Sequence, residues 1–144
     1  MITLAEYVGP YGDSVDWTLA RRNNALKLLA ACEKLQARME ADGVVFQTHS
    51  HTDNILHPRI DEVSGVTYGG FRPQDCPIGA PHSAHKEGQA VDIYDPKGQI
   101  DAWLLEFPLA LVDFGLYIEH PDKTPGWSHW STRRPGSGQH IFWP

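Results

Sequence analysis

Three side chains in the second half of the chain have the types needed to share one metal ion. In Ser83-Ala84-His85-Lys86-Glu87-Gly88-Gln89-Ala90-Val91-Asp92-Ile93 an imidazole is followed seven positions later by a carboxylate, and Trp127-Ser128-His129-Trp130 adds a second imidazole. His85, Asp92 and His129 form a nitrogen and oxygen donor set suited to a zinc-type ion. Three protein ligands leave a fourth tetrahedral position to water, the arrangement of a catalytic rather than a structural centre. An ion held in this way lowers the pKa of bound water toward ~7 and polarises a carbonyl, so it supplies a nucleophile and an electrophile together. Spacing alone does not separate such a set from ordinary surface or core residues, because a His and an Asp seven apart recur by chance.

The elements that must position these groups can be read from periodicity. Residues 89–94 form a predicted strand with Val91 and Ile93 on one face and Ala90, Asp92 and Tyr94 on the other, so Asp92 points away from the apolar side. Residues 126–131 form another, with Trp127 and His129 sharing a face and Ser128 and Trp130 the opposite one. Gly88, lacking a Cβ, lets the backbone turn between the loop of His85 and the strand of Asp92. Ala25, Leu28, Leu29, Cys32, Leu35 and Met39 recur at helical spacing and predict an amphipathic helix within residues 16–42, stopped by Gly43. Residues 44–50 read as a short strand and 54–61 as loop. Between Ser64 and Ser83 the glycines at 65, 69, 70 and 79 and the prolines at 73, 77 and 81 predict a structured loop region. Residues 100–114 have helical spacing that Pro108 must kink or split, 116–119 read as a strand, and 133–144 are Gly- and Pro-rich with an apolar Ile141-Phe142-Trp143. The expected architecture is one α+β domain over residues 1–144, a small, mostly antiparallel sheet with flanking helices.

Composition narrows the partners. Twelve basic against 18 acidic residues, a net charge of −6, provide no basic patch for nucleic acid. No stretch approaches the ~20 apolar residues of a membrane span, and the start lacks a basic region followed by an apolar run. Synthesis in the cytoplasm without a signal peptide is expected, with any export left to a separate system. Cys32 falls on the helix stripe and reads as core, while Cys76, in a Pro-flanked loop, is open to exposure and carries no assigned role.

The pattern Ser83-x-His85-x-x-Gly88-x-Ala90-x-Asp92-Ile93 with a later Trp127-x-His129 resembles the zinc D-alanyl-D-alanine carboxypeptidases and dipeptidases and the L-alanyl-D-glutamate endopeptidases of phage endolysins. The resemblance runs from about Ser64 to Pro144. It implies a hedgehog/DD-peptidase-like fold, Zn2+ held by His85, Asp92 and His129, and hydrolysis of a peptide bond in the stem peptides of peptidoglycan. It also implies that Arg72, in Gly70-Phe71-Arg72-Pro73, contacts the substrate carbonyl or carboxylate, and that Ser83 lines the site. In these families the general base is a carboxylate three residues before the last histidine ligand, and here that position is Gly126. Glu119, at a strand end, is the preferred substitute, with Asp122 in the following turn as the alternative. Such a base is typically worth 10²–10⁴-fold, so its displacement leaves a second reading. In that reading the chain is a non-catalytic metal-binding module that recognises cell-wall peptides, or a structural component of a phage or prophage particle.

The remaining candidates carry less. His49 and His51 could share a face at a strand edge, His57 and His140 read as exposed, and His82 is a conceivable partner to the ligands. His120 could orient substrate. Asp95 reads as a turn acid, and Arg133 and Arg134 as a solvated pair able to meet an anion. Trp17 and Trp103 are expected on helical core stripes, and Trp127 and Trp130 as residues framing His129 in a pocket wall.

Overall fold

The computed structural model describes residues 1–58 and 69–144. Residues 59–68, which include parts of both expected loop stretches and Gly65, lie outside the described residues. The chain opens with helix α1, Leu4–Val8, whose Thr3 and Glu6 form a capping box: the Thr3 hydroxyl accepts the Glu6 amide and the Glu6 carboxylate accepts the Thr3 amide. Helix α2, Leu19–Ala41, follows, capped by the Thr18 side chain. Its buried positions are Ala25, Leu28, Cys32, Leu35 and Met39, the stripe read from periodicity, with Leu29 half-buried beside it.

After a 3-10 turn at Ala84–Glu87 come strand β1, Ala90–Tyr94, and helices α3, Gln99–Glu106, and α4, Leu109–Phe114. Pro108 stands between the two helices and divides the expected single one, because it cannot donate the amide that would continue α3. Strand β2, Tyr117–Glu119, a 3-10 turn at Pro121–Lys123, strand β3, Trp127–Ser131, and strand β4, Ile141–Phe142, complete the order. The sheet runs β1-β3-β2-β4. β3 is antiparallel to both β1 and β2, with Asp92 opposite His129, but β4 joins β2 in parallel, so the sheet is mixed rather than antiparallel. Among the described residues no helix is long and apolar enough to cross a membrane.

One apolar cluster joins the α2 stripe to Val91 and Ile93 of β1, Ile100, Trp103 and Leu104 of α3, Leu111 of α4, Ile118 of β2 and Trp130 of β3. Several expectations are corrected here. Residues 44–50 form no strand: one isolated bridge pairs His49 with Asn54, while Val44 and Phe46 pack against the core as irregular chain. Trp17 precedes α2 instead of lying on it, its ring 4.7 Å from that of Phe71. Cys76 is buried, its thiol directed at the Ile78 carbonyl. Trp130 faces the core, its indole donating to Ser128 Oγ, so of the two tryptophans only Trp127 borders the pocket.

Candidate metal centre

Each ligand is held by its own segment. α1 presents the Tyr7 carbonyl to the Phe71 amide at 2.9 Å, and Gly70 passes so close to that carbonyl that a Cβ would overlap it. This fixes Gly70-Phe71-Arg72 against the molecule. The Gly70 carbonyl then accepts from His85 Nδ1 at 2.8 Å. The turn bearing His85 is held by the start of α2: Asn24 donates to the Glu87 carbonyl at 2.9 Å and Arg21 pairs with the Glu87 carboxylate at 3.2 Å. Gly88 ends that turn with φ +72° against the Arg21 carbonyl, where any side chain would collide. Lys86, also buried, donates to the Gln74 and Cys76 carbonyls and ties down the loop after Arg72. The backbone of Asp92 is gripped from one edge, its amide donating to Gly69 and its carbonyl accepting from His57. The other edge of its strand pairs with β3, which brings His129 across.

The result is a buried cluster of His85, Asp92 and His129 whose ligand atoms all lie within 4.8 Å of one another, and among the described residues it is the one group of three or more such side chains able to hold a metal ion. Asp92 Oδ1 lies 3.2 Å from His85 Nε2 and 2.9 Å from His129 Nδ1. Two ligand atoms on one tetrahedral ion with bonds of ~2.1 Å stand about 3.4 Å apart, so these separations suit a shared ion. The donor chemistry fits as well. A carbonyl can only accept, so His85 carries its hydrogen on Nδ1 toward Gly70, and burial holds its pKa down to about 4, making it neutral near pH 7. Its Nε2 lone pair therefore faces the oxygen of Asp92, an acceptor against an acceptor, and a cation between them resolves that conflict. Burial alone would raise the Asp92 carboxyl, but the surrounding donors, His129 Nδ1 and the Arg72 guanidinium each at 2.9 Å, hold the group well below the usual carboxylate range. Asp92 is thus an anion with no solvent exposure.

Arg72, expected to reach substrate, is 4% exposed and donates from Nη2 to Asp92 Oδ2 at 2.9 Å. It borders the pocket, yet its guanidinium is committed to aiming the carboxylate, so it is first a positioning residue. Ser83 also borders the pocket while its hydroxyl accepts the His85 amide at 3.3 Å, which combines the turn-forming and lining roles. The pocket is about 630 Å³ and is walled by Ile78, Glu119, Lys123, Trp127, Arg133 and Phe142 around the three ligands. Glu119, at the end of β2, borders this space and has no ion pair or side-chain hydrogen bond among the described residues. Asp122 does not border the pocket; it is largely exposed and sits 3.7 Å from His120. His120 itself stacks on Trp143 at 3.9 Å. Gly126 has φ +86° and open space where a side chain would stand.

The other candidates are dispersed. His49 and His51 have rings 5.3 Å apart at a turn, with no third ligand in range among the described residues. His57 and His140 are half-buried rather than exposed, His140 donating from Nδ1 to the Leu116 carbonyl 2.6 Å away and stacking on Tyr117. The His82 ring is exposed and meets none of the ligands; its backbone carbonyl accepts from Arg133. Asp95 is buried and accepts the Asp101 amide at the start of α3, a capping role its loop position concealed. Lys123 and Ile78 were not singled out in the sequence, and neither falls in a motif that could have marked it. No family model, curated protein or solved structure matches this chain.

Proposed function

We propose that this chain is a zinc-dependent peptidase of hedgehog/DD-peptidase type that hydrolyses a peptide bond in bacterial cell-wall stem peptides, as D-Ala-D-Ala carboxypeptidase or L-Ala-D-Glu endopeptidase, delivered to the wall by a separate system. The observation that carries this reading is the His85 Nε2 lone pair turned on Asp92 Oδ1, with His129 Nδ1 beside it, in the floor of an open pocket. His85, Asp92 and His129 would hold Zn2+, which when bound would supply an activated water and a Lewis acid. Around it, Arg72 fixes Asp92, Gly70 fixes the tautomer of His85, and Glu119 takes a proton from the attacking water and passes it to the leaving amine. Trp127 and Phe142 give the substrate an apolar wall.

Gly126 favours a second reading. Where the resembling enzymes carry their base, this chain has no side chain, and a metal-binding module that recognises wall peptides without cutting them accounts for that directly. Incubating the zinc-loaded protein with peptidoglycan fragments, beside a His85→Ala control, separates the two by mass spectrometry. Release of D-Ala or of a stem peptide, absent in the control, supports the peptidase. Intact fragments across several stem chemistries, from protein shown to retain its metal, select the binding module.

A further inference from the structure

The pocket is cationic in a chain that is not. Among the described residues three cationic side chains, Arg72, Lys123 and Arg133, border it against two side-chain carboxylates, Asp92 and Glu119, although the whole sequence carries −6. Arg72 is neutralised by Asp92. The other two cations have no carboxylate partner among the described residues. Arg133 donates only to uncharged oxygens, from Nε to Gln89 Oε1 at 3.0 Å and from Nη1 to the His82 carbonyl, which leaves Nη2 unassigned. Lys123 Nζ lies 5.9 Å from the centre of the Trp143 ring and makes no ion pair among the described residues.

Topology sets these two charges apart. Lys123 closes the 3-10 turn that leads into the start of β3, and Arg133 leaves the end of β3. His129 is the central residue of that strand. At ~3.3 Å per residue the five residues of β3 separate its ends by roughly 15 Å, so one cation stands on each side of the metal centre. An open pocket with positive charge at both ends and no carboxylate paired to either among the described residues favours a ligand with negative charge at both ends.

Resting on the peptidase reading for the position of the scissile bond, we infer that the substrate is a dianionic peptide, with one carboxylate on each side of the bond to be cut. Lys123 receives one and Nη2 of Arg133 the other. The two are specificity residues: they select substrate and take no part in bond cleavage.

The test uses the zinc-loaded full chain and four versions of one short peptide: a carboxylate on either side of the central bond, each mono-amide, and the diamide. Kd is measured by calorimetry for any version left uncut, and KM and kcat for any that is cleaved. Each amidation is expected to weaken Kd or KM about tenfold or more, as a lost charge-assisted contact does, with kcat changed far less. Lys123→Gln should abolish the penalty for amidating one end, and Arg133→Gln that for the other. Arg133→Lys, which keeps the charge, guards against mere loosening of the loop at His82 and should retain most of the discrimination. Equal affinity for all four peptides overturns the inference whether or not any is cleaved. Charge-dependent binding without cleavage supports the assignment of Lys123 and Arg133 as two carboxylate subsites and overturns the peptidase reading, and with it the scissile bond between them.

Discussion

Asp92 joins more of the site than any other side chain: one oxygen faces two imidazoles, the other takes Arg72, and its backbone is held by Gly69 and His57. Removing one partner of a buried ion pair leaves the other charge uncompensated, which costs about 3 kcal/mol or more. Arg72→Met should therefore lower the urea midpoint of the metal-free protein by that order, and added zinc should restore part of the loss by taking over the role of counter-charge. Glu119→Gln is expected to leave zinc content unchanged while lowering kcat by 10²–10⁴-fold; an unaltered kcat would move the base elsewhere. The clustering of His85, Asp92 and His129 was legible because imidazole and carboxylate at those spacings have few other uses once the surrounding motif is in view. The service of Arg72 to Asp92 was not, since a pairing between side chains 20 residues apart leaves no local pattern. Lys123 was illegible for the same reason: its relevance comes from where β2 ends, not from its neighbours in sequence.

Among the elements, α2 was read nearly to its ends because one face must be apolar along its whole length, and Leu28 stands in the middle of that face with no exposure. Leu28→Ala should cost roughly 2–5 kcal/mol, seen as a lower midpoint with little change in the denaturant slope. Val44, Val45 and Phe46 have strand-forming side chains, but no partner strand runs beside them, and without a ladder the preference is not expressed. β4 was missed as a parallel partner because two residues are too short for periodicity to reveal direction. Behind the sheet, Asp101 of α3 is 6% exposed beside Asp95, with one carboxylate oxygen lacking a partner among the described residues, and burial raises its pKa to about 6. The folded chain thus keeps this proton at pH values where the unfolded chain has lost it, so Asp101 subtracts stability progressively as pH rises from about 4 to 6. His85, held to about 4, acts oppositely, since the unfolded chain binds its proton first as pH falls below about 6.5. The difference between unfolding curves of the native chain and Asp101→Asn isolates the first effect. It should widen in favour of the variant by up to about 3 kcal/mol between pH 4 and 6 and then stay level.

Across the whole molecule, the metal centre is a meeting point of distant segments: Tyr7 donates to the Ala90 carbonyl 83 residues away, Arg21 grips Glu87 at a separation of 66, and Asp92 meets His129 across 37. Because the donors converge only in the folded chain, a metal ion held by all three would bind that state alone. At free metal 1,000-fold above its Kd the added stability is about 4 kcal/mol, which chelation should remove as a fall in melting temperature. The same convergence bears on rates. The pairing of β1 with β3 closes a long loop, and the three donors come together only on that closure, which is expected to follow the folding barrier. Zinc present during refolding therefore finds no chelate to stabilise at the barrier. It should leave the folding arm of a chevron plot where it was and depress the unfolding arm, acting as a lock on the finished structure rather than as a template for making it.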